Sequence, residues 1–125
     1  MNKYITYKGL PFAFDDIPIR NNIFSRSLKK WDLYFDSFFD IISNIEIDSY
    51  CRLTIFNWRK IYIKSTDEKQ YSEVFDLKLL DLWLMLNLEY VEKDKLLKLC
   101  VCTYETNMYL DILFIDANYS FMIEE

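Results

Sequence analysis

The sequence of 125 residues contains no histidine and only one glycine, Gly9. Without histidine, the Ser-His-Asp and Cys-His catalytic arrangements, the histidine-containing zinc sites and a histidine general base are all excluded. With a single glycine and no Gly-Lys-Ser/Thr sequence, the phosphate-binding P-loop, the Gly-x-Gly-x-x-Gly fingerprint and the EF-hand loop are excluded as well. We therefore expect a protein that is not an enzyme and that uses no cofactor.

Carboxylate chemistry survives these exclusions. Asp15 and Asp16, in an irregular segment between the two prolines, are the best candidates for paired catalytic acids or for an all-oxygen Mg²⁺ or Ca²⁺ site. Adjacent acids in a loop are most often simply solvated. A carboxylate-dependent hydrolase is therefore the last of three functional hypotheses.

Long hydrophobic runs are also missing. The longest stretches without a charge are seven residues, 82–88 and 117–123, whereas a transmembrane helix needs about 20. Lys8, Gly9 and Pro11 interrupt the first residues before an apolar run of signal-peptide length can form. Three cysteines, an odd number, fit reduced thiols better than disulfides or a metal site. We expect a cytoplasmic protein that does not bind a membrane or a metal.

The pattern of apolar residues predicts a helix over residues 25–45. An apolar fraction of 52% excludes disorder, and the length favours a single domain, residues 1–125. The apolar stripe of the predicted helix steps by three and four residues through Leu28, Trp31, Phe35, Phe38, Ile42 and Ile45. Leu33 is the one apolar residue that falls on the opposite, polar side of this helix.

The period changes to two after this segment, which predicts strands. Residues 75–91 are ambiguous, because their leucine content favours a helix whereas the alternation from Leu80 to Tyr90 favours strands. We interpret them as two strand segments that meet at a bulge near Leu79 and Leu80. The expected fold is α+β, with one main amphipathic helix packed on an antiparallel β-meander of about five to seven strands.

Charge is divided unevenly along the chain. Residues 1–64 contain ten Lys/Arg and seven Asp/Glu, whereas residues 65–125 contain five and thirteen. An acidic surface steers a basic partner toward it. The basic residues are spread among acids, which argues against direct binding of nucleic acid.

The chain also carries an excess of aromatic residues, ten Phe, ten Tyr and three Trp, and exposed Tyr and Trp are typical of protein interfaces. We expect the second face of the meander to bind a partner, unless the segment 11–24 folds across it. Asp32, Asp36 and Asp40, spaced four apart on the predicted helix, are secondary candidates or simply solvated. The main candidates are Asp81, Trp83, Glu89, Tyr104, Glu105, Tyr109, Asp111 and Asp116.

In size, acidic charge and aromatic-rich composition, the whole chain resembles the immunity proteins of bacterial contact-dependent inhibition and related polymorphic toxin systems. No sequence motif carries this resemblance. It implies a monomer or weak homodimer that binds the toxin domain of a cognate effector, often a basic nuclease, and blocks its active site or substrate surface. The alternative, from a different class, is an oligomeric structural protein of a phage or mobile element whose exposed sheet face is a self-interface.

Overall fold

The fold is all-β, so the α+β prediction and its main helix are wrong. A computed structural model describes residues 12–14, 16–40, 43–77, 81–91, 93–104 and 109–123, and these ranges form strands and turns without a helix. In the same ranges no helix is long and apolar enough to cross a membrane. The strands are β1 (Phe12–Ala13), β2 (Ile17–Ser25), β3 (Lys30–Phe35), β4 (Phe38–Asp40), β5 (Ile45–Ile47), β6 (Cys51–Phe56), β7 (Lys60–Ser65), β8 (Ser72–Val74), β9 (Leu82–Val91), β10 (Leu96–Thr103), β11 (Tyr109–Ile115) and β12 (Asn118–Ile123).

Most of the strands form one large antiparallel sheet. Its nine strands lie in the order β12-β6-β3-β2-β9-β10-β11-β7-β8, and a second sheet has the order β1-β4-β5. Strands β11 and β12 are joined by only Asp116 and Ala117, although five strands lie between them in the sheet. Such a short connection is possible only because the large sheet folds over on itself.

The core lies between the two halves of the folded sheet. The ring of Trp31 in β3 lies 5.8 Å from that of Phe114 in β11, and Trp58, between β6 and β7, contacts the same ring at 5.2 Å. Trp31 and Phe114 are fully buried. Apolar side chains from both halves therefore share one core, as in other packed sheets.

The small sheet covers part of this core with phenylalanine side chains. Phe12 stacks on Phe121 of β12 at 4.0 Å, and Phe14, just after β1, stacks on Phe35 of β3 at 4.1 Å. Phe38 of β4 approaches Phe121 edge-on at 5.0 Å. The small sheet is thus packed on the outer strands of one half of the large sheet.

The segment predicted as a helix forms the end of β2, a turn, and β3, β4 and β5. In β3 the alternate side chains of Trp31, Leu33 and Phe35 are fully buried, as the period of a strand requires. Leu33 is the residue that did not fit the helix, and Leu28, placed on the apolar stripe, is 70% exposed in the turn. The helical spacing came from Leu28 in the turn and from apolar residues of β3, β4 and β5, while Ile42 lies outside the described residues.

Strand β9 confirms the prediction of a strand in the second half of 75–91. The first predicted strand segment is wrong at residues 75–77, which lie outside any strand, and the bulge predicted at 79–80 lies outside the described residues. The pairing of β9 with β10 shifts register twice, which leaves Trp83 and Leu86 as the extra residues of two bulges. Because of the bulge at Leu86, Met85 faces the core and is fully buried. The simple alternation of faces expected for this strand is therefore wrong at Met85.

The chain turns tightly without glycine. Within the described ranges, six non-glycine residues have a positive φ: Asp16, Lys29, Asn44, Asn57, Lys95 and Asp116. Four of them are Asn or Asp, whose short polar side chains tolerate this conformation best. The turns around Lys29, Asn57 and Asp116 bring charged side chains together at one end of the sheet, as described below.

Candidate functional site

A cluster of aromatic and acidic side chains lies at the end of the large sheet where β9 and β11 begin and β7 and β10 end. The backbone N–H of Tyr104 donates to the carbonyl of Asp81 at 2.9 Å, and the N–H of Thr66 donates to the carbonyl of Tyr109 at 3.1 Å. Tyr109 is also paired with Cys102, two residues before Tyr104. These bonds fix the segments of four strands next to one another.

Two of the three aromatic side chains of this cluster are exposed and the third, Trp83, is half-buried. The Trp83 and Tyr104 rings lie 6.0 Å apart, and Tyr104 and Tyr109 are 65% and 49% exposed. The bulge at Trp83 takes this side chain out of the regular alternation of β9. Exposed Tyr and Trp next to one another on rigid strand ends are typical of binding surfaces.

Three exposed carboxylates lie at the same end of the sheet as these rings. Asp81 immediately precedes β9, and Asp67 and Glu68 follow β7 in the turn that begins at the Tyr109-bonded Thr66. Lys69 is the one cation in the same turn. We call Asp67, Glu68, Asp81, Trp83, Tyr104 and Tyr109 the acidic rim.

The structure brings only four of the eight main candidates into this rim: Asp81, Trp83, Tyr104 and Tyr109. Glu89 is exposed farther along β9, opposite Lys98 of β10. Asp116, in the turn between β11 and β12, accepts from the Nε of Arg59 at 2.8 Å. Glu105 lies outside the described residues.

Asp111 lies inside a half-buried group on the outer face of β10, β11 and β7. Its carboxylate accepts from the Nζ of Lys64 at 3.0 Å, and it lies opposite Cys100 across the β10–β11 pair. Burial, followed by the charge of Asp111 and a hydrogen bond with it, raises the pKa of the Cys100 thiol to about 11. A carboxylate already paired with a lysine is poorly placed to bind a partner, and this thiol stays protonated at neutral pH.

The three secondary candidates do not form a stripe, because the helix that aligned them does not exist. Asp32 is buried in β3 and accepts from the hydroxyl of Thr54 at 2.6 Å. Asp36 is exposed and pairs with the Nε of Arg20 at 3.2 Å. Asp40 lies at the end of β4 and accepts from the hydroxyl of Ser43 at 2.9 Å.

Among the described residues there is no group of three or more Cys, Asp or Glu side chains that could hold a metal ion. Asp16 is exposed with a φ of 55°, and its neighbour Asp15 lies outside the described residues.

A second feature, which the sequence analysis missed, is a cleft of about 250 Å³ between the β2–β3 turn and the ends of β7 and β8. The backbone N–H of Asn57 donates to the carbonyl of Lys29 at 2.9 Å and so holds two of its turns together. We call it the basic cleft. Its lining residues are Arg26, Lys29, Trp58, Arg59, Lys60, Ile61, Glu73, Val74 and Phe75.

The helix prediction hid this cleft, because it placed Arg26 and Lys29 in a helix and Arg59 and Lys60 in a separate hairpin. A polar stretch, 25–30, followed by the alternation of Trp31, Leu33 and Phe35 is the signal that could have indicated a turn between strands.

Comparisons of the chain with protein-family models, with curated proteins and with solved structures gave no match. The two surface features that bear on function are therefore the acidic rim and the basic cleft.

Proposed function

We propose that this chain is a protein-binding domain that neutralises a cognate toxin by covering its active site or substrate surface with the acidic rim. The observation that carries this proposal is the exposure of Tyr104 and Tyr109, with the half-buried Trp83 next to Tyr104, beside the exposed Asp67, Glu68 and Asp81 on neighbouring strand ends. The resemblance to immunity proteins in size, charge and composition supports the toxin as the partner.

The two kinds of side chain in the rim have separate roles in the proposed complex. Tyr and Trp bury a large apolar area at low cost in conformational entropy, so they supply most of the affinity. The carboxylates attract a basic surface over a long range and raise the association rate. Because backbone hydrogen bonds and strand pairing hold Asp81, Tyr104 and Tyr109 in place, little order has to be gained on binding.

The partner implied by this chemistry is a basic protein domain. The chain has a net charge of −5. Among the described residues, the three rim carboxylates outnumber the nearby cations Lys69 and Lys64, whose ammonium donates to the carbonyl of Glu68 at 3.1 Å. A basic nuclease domain is one such partner. The charge complementarity is equally good for any toxin with a cationic active-site surface, so the proposal does not depend on nuclease activity.

The experiment is a growth assay with the C-terminal domain of the protein encoded immediately upstream of this gene. That domain is expressed in a bacterial host with the wild-type chain or with the double variant Tyr104→Ala, Tyr109→Ala. We expect the wild type to restore growth and the variant to fail, since both rings are exposed and their removal leaves the fold intact.

The matched control is Tyr50→Ala, which removes a ring of similar exposure far from the rim in sequence, next to β6. This variant has to protect as well as the wild type. Protection by the rim variant, or a toxin-free neighbouring gene together with a stable oligomer of the chain alone, would contradict the proposal and favour the structural protein of a mobile element.

A further inference from the structure

The basic cleft is a local exception in an acidic molecule. Of its cations, Arg59 is paired with Asp116 at 2.8 Å. Arg26, Lys29 and Lys60 then face one lining carboxylate, Glu73, and Asp76 lies with Arg26 in the lining of a neighbouring pocket. The electrostatic potential in the cleft is therefore positive, although the chain as a whole carries a net charge of −5.

Part of the cleft lining is apolar and aromatic. Ile61 and Val74 are partners in the β7–β8 pair, and the lining residue Trp58 stacks on Phe24 at 5.5 Å. At the mouth, Phe75 is 63% exposed and the guanidinium of Arg26 lies 5.7 Å from its ring. A ligand here meets an apolar surface surrounded by cations.

The cations are held in position by the fold. The Nζ of Lys29 donates to the carbonyl of Trp58 at 3.2 Å, which orients the ammonium without neutralising it. Arg26 stays cationic in its contact with Phe75, because a ring does not cancel the charge. The site is therefore preorganised for carboxylate groups.

The cleft lies against an open sheet edge. Strand β8 is the last strand in the order of the large sheet and has a paired neighbour, β7, on one side only among the described strands. An extended peptide can lie along such an edge and place alternate side chains in neighbouring pockets.

We propose that the basic cleft binds a short, extended acidic peptide segment of a partner protein, with an apolar residue over Ile61 and Val74 and carboxylates beside Arg26, Lys29 and Lys60. A nucleic acid fits less well, because Glu73 and Asp116 lie in or beside the walls and would repel a continuous line of phosphates. The basic cleft shares no residue with the acidic rim. Peptide binding by the cleft is therefore independent of the proposed toxin binding by the rim.

The test uses the full chain and a fluorescently labelled peptide, acetyl-Glu-Asp-Leu-Asp-Glu-amide, in an anisotropy titration. Its neutral isostere, acetyl-Gln-Asn-Leu-Asn-Gln-amide, is the control ligand. We expect the acidic peptide to bind more tightly than the isostere by about tenfold or more, which corresponds to about 1.4 kcal/mol, and the double variant Arg26→Gln, Lys60→Gln to lose this difference.

The matched protein control is Lys69→Gln, Lys93→Gln, which removes the same charge outside the cleft and has to bind the acidic peptide like the wild type. Far-ultraviolet circular dichroism checks that both double variants are folded, and the single variant Phe75→Ala, at an exposed position, provides a second perturbation of the same cleft. Equal binding of the two peptides would overturn the inference. Tighter binding of an oligothymidylate of similar length, or loss of peptide binding in the Lys69 and Lys93 variant alone, would overturn it too.

Discussion

At the scale of single residues, several charged side chains that the sequence offered for binding are paired within the chain. Asp111 is paired with Lys64 and raises the pKa of Cys100, Asp116 is paired with Arg59, and Asp32 is bonded to Thr54. The pattern of the sequence does not show which acids pair, because each of these partners lies far away along the chain. Of the predicted main acids that the structure describes, only Asp81 lies in the rim.

Cys100 gives the first prediction. Since burial and Asp111 raise the pKa of its thiol to about 11, we expect it to react with iodoacetamide about a hundredfold more slowly at pH 8 than an unperturbed cysteine of pKa near 9. Mass spectrometry of the alkylated Cys100 peptide measures the rate. The variant Asp111→Asn should react faster, and a wild-type rate that reaches half of its maximum near pH 9.0 would contradict the raised pKa.

The pair of Thr54 and Asp32 gives the second prediction. Both side chains are buried and the bond between them is 2.6 Å long. Thr54→Val removes the donor and leaves the buried carboxylate with its longer contact to the Nζ of Lys30 at 3.6 Å. We therefore expect it to lower the free energy of unfolding by about 1–3 kcal/mol. Urea unfolding measures this, with Ser120→Ala, an exposed neighbour in the same row of the sheet, as a control that changes it by less than about 0.5 kcal/mol.

At the scale of elements, the strands after residue 50 were largely predictable and residues 25–45 were not. Strands β6, β7, β10 and β11 show alternation of apolar and polar residues that a sheet imposes. Within 25–45, three short strands happened to place large apolar residues three and four apart, and aromatic residues fit a pleated sheet as well as they fit a helix face. Leu33 was the one indication that the helical period was wrong.

A pair of leucines tests this correction directly. Leu33 is fully buried in β3, and Leu28 is 70% exposed in the turn before it, whereas the predicted helix requires the reverse. We expect Leu33→Ala to lower the free energy of unfolding by about 2–5 kcal/mol, and Leu28→Ala to change it by less than about 0.5 kcal/mol. Thermal or urea unfolding gives both values, and a larger loss for Leu28 than for Leu33 would restore the helix.

At the scale of the whole molecule, the sequence divides its charges between two halves, whereas the fold places the basic cleft and the acidic rim at opposite ends of the large sheet. Strand β7 connects the two: Arg59 and Lys60 lie at its start, and Asp67 and Glu68 follow its end. Six residues of strand separate the ends by about 20 Å, which is beyond the Debye length of about 10 Å at 0.1 M salt. The two surfaces can therefore attract different partners.

This arrangement was not predictable from composition. An acidic, aromatic face on a meander was predicted with Tyr104, Tyr109 and Asp81 as candidates, and in the structure these three residues lie at one end of the large sheet. The prediction missed Asp67 and Glu68, because their position beside Tyr109 depends on the pairing of β7 with β11. It missed the basic cleft for the same reason, since the turns that form it are 30 residues apart in sequence.

The central claim is that the carboxylates of the acidic rim steer a basic toxin domain to this chain. The most direct test is the association rate constant with the toxin domain, measured by stopped flow at about 25 mM and about 300 mM salt. Three proteins are compared: the wild type, the rim variant Asp67→Asn, Glu68→Gln, Asp81→Asn, and a variant with equal charge change at exposed acids outside the rim, Glu46→Gln, Asp48→Asn, Asp94→Asn. We expect the rim variant to associate about tenfold more slowly at low salt and to lose most of its salt dependence, while the other variant stays close to the wild type. Equal rates for the two variants, or a wild-type rate that does not change with salt, would contradict the account.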